Sequence, residues 1–283
     1  MTKFIAEVSS NHNNDLDRSL KLIDAAKFAG FDAVKFQMFK IDQLFSPEAF
    51  AAKPFLKDRE KWELPEEFIP ILSKYAHEQG LEFSCTPFYL EAVDKLAPYC
   101  DFLKIASYEL LWLELASKCE ATGLPLIIST GMANLDEVDQ AVHNVRTNYP
   151  AVDLVLLHAV SSYPAPVDEC NLMAIKTMAE RYNLGVGWSD HTVSVGVINR
   201  AVHKFGAVAV EMHIDTDGEG FEFESGHCWL PEESRRMIAS IREGQTTDGD
   251  GLKQPVAAEI VERVWRADPI DGLRPLVETR KQL

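Results

Sequence analysis

The sequence predicts a (β/α)8 barrel, and three observations lead there. Short apolar runs alternate with segments of helical spacing along most of the chain. The alternation repeats eight times over about 245 residues, the count and length of a closed TIM-type barrel. Polar residues follow almost every apolar run, as they do at the carboxyl ends of barrel strands. A doubly wound open sheet is the alternative, and the count of eight favours the barrel.

In order, residues 3–9 form a first short apolar strand, and 16–29 carry apolar residues at helical spacing before Gly30. Residues 33–38 are the second strand. Residues 41–62 are irregular and too long for a plain connection, so they read as an active-site loop. Residues 65–79 are helical and stop at Gly80; 81–85 are the third strand and 90–96 its helix. The fourth unit is 102–105 with 110–121. Gly123 and Pro125 punctuate the approach to the fifth, 126–129 with 135–145. The sixth is 153–159 with 172–182, the seventh 185–188 with 195–205, and the eighth 208–212 with 232–242. Residues 1–245 thus read as the catalytic barrel. From Thr246 the chain turns polar and glycine-rich, then is interrupted by Pro255, Pro269, Gly272 and Pro275. Residues 246–283 read as a linker and short C-terminal tail, too short for an independent domain.

With 283 residues, 46% hydrophobic and 25% charged, the chain has ample material for a large core. No apolar run approaches the roughly 18 residues of a membrane span, and no signal segment is expected. The five cysteines lack paired metal spacing and read as free thiols in a reducing cytoplasm. A net charge of −16 argues against a nucleic-acid surface. An anionic ligand would need a local cluster of lysines to overcome that field.

The strand ends supply one. Lys35 and Lys104 lie in apolar runs, where an ammonium is costly unless paired. They either form salt bridges with Glu7 or Glu109, or join Thr86, Ser107 and Ser189 in a cradle for phosphate or carboxylate. Glu7, Glu109 and Glu211 are candidate acid–base groups. His191 and His213 end neighbouring runs, where two imidazoles share one metal ion. Alternatively, His191 caps the next helix and His213 is a hydrogen-bonded core residue. Trp188 and Tyr108 read as packing, His143 and His203 as helix surface, and Asp15 and Asp136 as helix starts.

At these residues the chain resembles the sialic acid synthase family, the phosphoenolpyruvate-dependent nonulosonic acid synthases. The matching pieces are Ile5-Ala-Glu-Val8 with Asn11-His12, Val34-Lys-Phe-Gln37, Ser84-Cys-Thr-Pro-Phe88, Leu103-Lys-Ile-Ala-Ser-Tyr-Glu109, Ser129-Thr-Gly-Met132, Leu156-Leu-His158 with Tyr163-Pro164, Gly187-Trp-Ser-Asp-His-Thr192 and Glu211-Met-His213. They occur in family order. The resemblance implies condensation of phosphoenolpyruvate with the open-chain aldehyde of an N-acyl-mannosamine-type amino sugar, releasing phosphate. It implies a divalent ion, Mn2+ or Mg2+, held by His191 and His213 to polarise the aldehyde. Lys35, Thr86, Lys104, Ser107 and Ser189 would hold phosphoenolpyruvate. Gln37, Glu109 and Tyr163 would face the sugar, and Glu7 would act near the metal-bound water or the enol carbon.

The chain also departs from the family. Ser161 stands where an asparagine is usual, putting one phosphate contact in doubt. Beyond His213, Glu224 or Glu222 takes the place of a sugar-binding aspartate, Glu224 being the residue assigned. His227 reads either as an added polar contact or as a loop residue. The chain reads as a short member lacking the C-terminal antifreeze-like domain, whose arginine holds the sugar's acyl group in the partner subunit of the usual dimer. Arg266, Arg274 and Arg280 are the tail's candidates to replace it. A homodimer is compatible with the acidic surface and the tail. The competing readings are a related 3-deoxy-ulosonate synthase acting on another aldose, and a non-catalytic sugar-binding barrel.

Overall fold

The computed structural model describes residues 1–283. The chain divides into two compact units, Met1–Gln245 and Thr246–Leu283. The first is a barrel of eight strands: β1 (Lys3–Glu7), β2 (Ala33–Met38), β3 (Glu82–Pro87), β4 (Phe102–Ile105), β5 (Leu126–Ser129), β6 (Leu154–Ala159), β7 (Gly185–Asp190) and β8 (Ala209–His213). They pair in chain order, all parallel, and β8 closes onto β1. Each strand is followed by a helix: α1 (Leu16–Ala29), α2 (Ile69–Glu78), α3 (Leu90–Leu96), α4 (Leu113–Glu120), α5 (Leu135–Asn148), α6 (Met173–Tyr182), α7 (Val195–Asn199) and α8 (Pro231–Thr246).

Local signals account for many of the boundaries. Asp15 caps α1 by accepting from Arg18 N, and Gly30 ends it in the left-handed conformation. The cap of α5 is Asn134, in a reciprocal box with Glu137; Asp136 lies inside the first turn instead. Strands β3 and β7 run two residues past their expected ends, because ladder pairing uses backbone groups and tolerates Thr86, Ser189 and Asp190. Helix α4 begins late because Ser107–Glu109 form a tight 3-10 turn at the barrel mouth. The expected seventh helix is split: α7 gives way to a π-helical turn, Arg200–Lys204. The loop after β2 has structure of its own, with helical turns Ile41–Leu44 and Pro47–Ala52 and a 3-10 segment Pro54–Trp62.

Two apolar layers build the barrel. The larger fills the space between strands and helices, with Trp188, Phe4, Phe36 and Phe83 among its fully buried side chains. The smaller plugs the interior: Ile5, Ala33, Phe102, Ile127, Leu157 and Ala209. Gly187 belongs to this interior, since a Cβ there would lie 2.2 Å from the Ala209 carbonyl oxygen. Side chains alternate faces along a strand, so the residue two positions beyond each plug residue also points inward. Those residues are Glu7, Lys35, Lys104, Ser129, Ala159 and Glu211, all but Ala159 polar or charged. The apolar plug is thus the floor of a polar site.

The second unit is largely irregular, with short turns Ala257–Glu259, Glu262–Trp265 and Val277–Arg280. Buried Asp268 organises it by accepting from Ile270 N and Val277 N. Within it, Arg280 pairs with Asp271 at 2.7 Å, and Arg266 Nε donates to the Arg263 carbonyl. No helix of the chain is long and apolar enough to cross a membrane.

Candidate active site

A cavity of about 630 Å3 opens at the carboxyl ends of the strands. Its floor is an alternating set of buried charges. Lys35, on β2, contacts the Glu7 carboxylate on the neighbouring β1, and its ammonium donates to Thr86 Oγ1 at 3.0 Å. Across the barrel, Lys104 on β4 meets Glu211 on β8 at 3.2 Å, and Glu211 also lies 3.8 Å from Lys35. Lys104 therefore pairs with Glu211, and not with Glu7 or Glu109. Ser189 Oγ donates to Glu211, while Gln37 Nε2 and Ser9 N donate to Glu7. Burial opposes ionisation of Glu211, yet Lys104, Lys35 and His213 hold it below the usual carboxylate range. Burial also lowers the Lys35 ammonium to about 8, against the pull of Glu211.

His191 and His213 stand side by side above this floor, with ring centroids 5.5 Å apart. His191 Nδ1 donates to the Val160 carbonyl at 2.7 Å, and His213 Nδ1 bonds Glu222 Oε2 at 2.8 Å. Each imidazole is oriented through Nδ1, which leaves Nε2 available to a metal ion, so the residues fit such a group. Burial and the neighbouring His213 hold His191 down at about 3, so that the imidazole is neutral. Its position is set by Asp190, which accepts from both Trp188 Nε1 and Trp229 Nε1. The buried Trp188 thus packs and also anchors the turn that presents His191.

The remaining assigned residues are placed as follows. Gln37, Thr86, Ser107, Glu109, Tyr163 and Ser189 all line the cavity. Burial outweighs Lys104 and raises the Glu109 carboxyl to about 7. The Tyr163 ring lies 4.2 Å from that of His191. Ser161 lines an adjoining cavity beside Thr130 and Met132. It does not line the active-site cavity; a Cβ on Gly131 would sit 2.3 Å from Ser161 Oγ and 2.8 Å from Ser107 Oγ, so both hydroxyls flank that glycine. Glu224 is corrected: it is exposed and lines a separate surface groove with Asn13 and Lys61. The short helix Phe221–Glu224 turns Glu222 inward in its place.

Residues 22–253 match the NeuB family. The chain belongs to the NeuB family. The N,N'-diacetyllegionaminic acid synthase of Legionella pneumophila is 38% identical, over 98% of this chain and 82% of that protein. The enzyme of the same name from Campylobacter jejuni is 34% identical, over 91% of this chain and 80% of that one. The N-acetylneuraminic acid (sialic acid) synthetase structure from Leptospira borgpetersenii superposes with a TM-score of 0.82 at 28% identity, covering 92% of this chain and 90% of that one.

Several residues at this NeuB mouth escape the strand-end pattern. Glu222 and His227 come from the segment beyond β8. A single bridge between Ile214 and Trp229 folds that segment back, with Trp229 N donating to the His213 carbonyl. His227 is thereby buried, its ring 4.9 Å from that of His213 and its Nε2 3.6 Å from Glu222. Burial opposes ionisation of Glu222, but hydrogen bonds from His213 and His227 keep it well below the usual carboxylate range. His213, Glu222, His227 and Cys228 bring their donor atoms within 4.8 Å of one another. Tyr108, expected to pack, is 65% exposed and lines the cavity. Arg59, Trp62 and Phe221 complete the rim, with Trp62 stacked on Phe221 at 4.9 Å. The one sequence signal for this rim is the length of the loop that carries Arg59 and Trp62. His158, although at a strand end, faces outward to bond the Cys170 carbonyl.

Proposed function

We propose that the chain condenses phosphoenolpyruvate with the open-chain form of an N-acyl-mannosamine-type aldose, giving a sialic-acid-like nonulosonic acid and inorganic phosphate. The observation that carries this is the pairing of a two-lysine, hydroxyl-lined floor with two Nδ1-oriented imidazoles at one barrel mouth. C3 of phosphoenolpyruvate bonds to the aldehyde carbon, water adds at C2, and the C2–oxygen bond to phosphate is lost as phosphate leaves. Lys35 and Lys104, with Thr86, Ser107 and Ser189, hold the phosphate and carboxylate of phosphoenolpyruvate. Glu7, beside Lys35, takes the proton of the attacking water. Gln37, Glu109 and Tyr163 orient the sugar, and the enclosed mouth brings the two reactants together. His191 and His213 would hold the divalent ion, Mn2+ or Mg2+, which when bound polarises a carbonyl oxygen and acidifies water. Glu222 fixes the ring of His213 for that task. Because relatives named for a diacetylated product match nearly the whole chain, the diacetamido aldose is the first substrate to try.

The deciding experiment measures phosphate release from phosphoenolpyruvate with Mn2+ over N-acetylmannosamine, its bacillosamine-derived diacetamido relatives and mannose. Release with an N-acyl sugar, abolished by a chelator, is expected. Release only with unacylated or phosphorylated sugars would replace this reading with that of another 3-deoxy-ulosonate synthase.

Two variants test the assigned roles. Lys104→Ala should raise the dissociation constant for phosphoenolpyruvate by roughly one to two orders of magnitude, the loss of a charge-assisted contact. Titration calorimetry checks it, and an unchanged constant would return Lys104 to a structural role. Glu109, with its carboxyl near 7, is protonated below that pH and donates to a sugar oxygen. Raising the pH through 7 removes that donor, so KM for the aldose should climb on the alkaline side. In Glu109→Gln the amide donates at every pH and the climb should disappear; a persisting climb would assign it to another group.

A further inference from the structure

The two imidazoles assigned to the divalent ion come from different strands. His213 closes β8, and His191 lies in the turn after β7. The β7–β8 ladder ends with Asp190 opposite Met212, so both histidines lie one step beyond its last rung. Contacts outside that ladder must set their spacing. One residue outside both strands touches both chain segments. Trp229 donates its backbone N–H to the His213 carbonyl at 2.8 Å, and its own carbonyl accepts from Asp215 N at 3.0 Å. Its backbone thus grips the chain on either side of Ile214, as a one-rung extension of the sheet. Its indole Nε1 donates to Asp190 Oδ2 at 3.1 Å, and Asp190 immediately precedes His191.

The other three donors to Asp190 are local. They are Trp188 Nε1 at 3.0 Å, Thr192 Oγ1 at 2.7 Å and Val193 N at 3.2 Å. These shape the turn that carries His191 but lie within three residues of Asp190 in the chain. Of the four, the Trp229 indole alone joins that turn to the end of β8. Both Trp229 and Asp190 are buried, and there a hydrogen bond to a carboxylate is strong and costly to lose.

We infer that Trp229 is a positioning residue: by holding the His191 turn and the end of β8 at one spacing, it sets the affinity of the histidine pair for a divalent ion. The inference rests on the reading of His191 and His213 as ligands and deepens it by naming what spaces them. Two ligands already at the right separation lose little freedom when an ion arrives. Groups that hold ligating imidazoles in place are worth about tenfold to a hundredfold in metal affinity. Glu222 orients one ring; Trp229 fixes the distance between the two backbones that carry the rings. It lies in a segment without periodicity, so the strand-end pattern does not reveal it.

The test is a calorimetric Mn2+ titration of the full chain as wild type, Trp229→Phe and Trp188→Phe. Each is also melted in chelator and assayed for phosphate release over a range of Mn2+. Phenylalanine keeps an aromatic ring in the core and removes the N–H. Trp229→Phe should raise the dissociation constant for Mn2+ about tenfold to a hundredfold. Its Tm in chelator should fall by only about 2–4 °C, the loss of one buried hydrogen bond. Phosphate release should recover at saturating Mn2+, with KM for phosphoenolpyruvate unchanged. Trp188→Phe also takes a buried donor from Asp190 but leaves the tie to β8 intact, so its Mn2+ constant should stay near that of wild type. An unchanged constant in Trp229→Phe overturns the inference. So does an equal loss in Trp188→Phe, which would make Trp229 one more support for Asp190. A collapse of the Trp229→Phe melt in chelator overturns it too, by making the indole a support of the fold. A wild type that binds Mn2+ but releases no phosphate with any aldose removes the synthase reading, and the titration still decides the role of Trp229. A wild type that binds no Mn2+ removes the ligand pair and the inference together.

Discussion

His213→Ala is expected to abolish phosphate release and metal retention while leaving the barrel folded. His213 closes β8, directly in register with Glu7 on β1, and presents Nε2 toward the cavity while Glu222 holds Nδ1 at 2.8 Å. If His191 and His213 hold the proposed ion, removing one imidazole would take away the electrophilic assistance to the aldehyde, an effect of several kcal/mol and so roughly a thousandfold or more in rate. The structural cost is smaller. Glu222 loses one partner but keeps the Ser10 amide at 3.1 Å and His227 nearby, so the fold should lose about 1–3 kcal/mol. Metal content after gel filtration, phosphate release and a thermal melt separate the two effects. Full activity with a bound ion would remove His213 from the ligand set.

Glu211→Gln is expected to destabilise the substrate-free protein strongly and to be rescued by inorganic phosphate. Glu211 is 4% exposed and lies between two buried lysines, 3.2 Å from Lys104 and 3.8 Å from Lys35. Removing its charge leaves two ammonium groups with only Glu7 as counter-ion, and an uncompensated buried charge costs about 3–5 kcal/mol. An anion that enters the same floor replaces the missing charge. A ligand at a hundred times its dissociation constant returns about 2.7 kcal/mol. Thermal melts with and without phosphate should therefore show a low Tm for the variant and a phosphate-dependent rise larger than that of the wild type. A variant as stable as wild type without phosphate, or equally responsive to it, would show that the floor is not balanced in this way. The same result would weaken the assignment of that floor to phosphoenolpyruvate.

What the sequence determined by itself is the barrel and one ring of its mouth. Eight short apolar runs alternating with segments of period 3.6 specify the fold, because a strand buried on both faces needs a continuous apolar run and a helix on its surface needs one apolar stripe. The two-residue step from Ile5 to Glu7, Ala33 to Lys35 and Phe102 to Lys104 marks the inward positions, so the lysines, the hydroxyls and both histidines are legible in the amino-acid order alone. Periodicity says that a side chain points inward but not what it meets across the axis. That Lys104 pairs with Glu211, 107 residues away and four strands round, only the closed barrel decides. The loops carry no period at all. The inward turn of Glu222 rather than Glu224, the burial of His227 and the placing of Arg59 at the rim depend on a bridge at Trp229 and on aromatic contacts between distant segments. Such contacts are set by tertiary packing, where a two-residue step around a short helix exchanges an exposed carboxylate for a buried one.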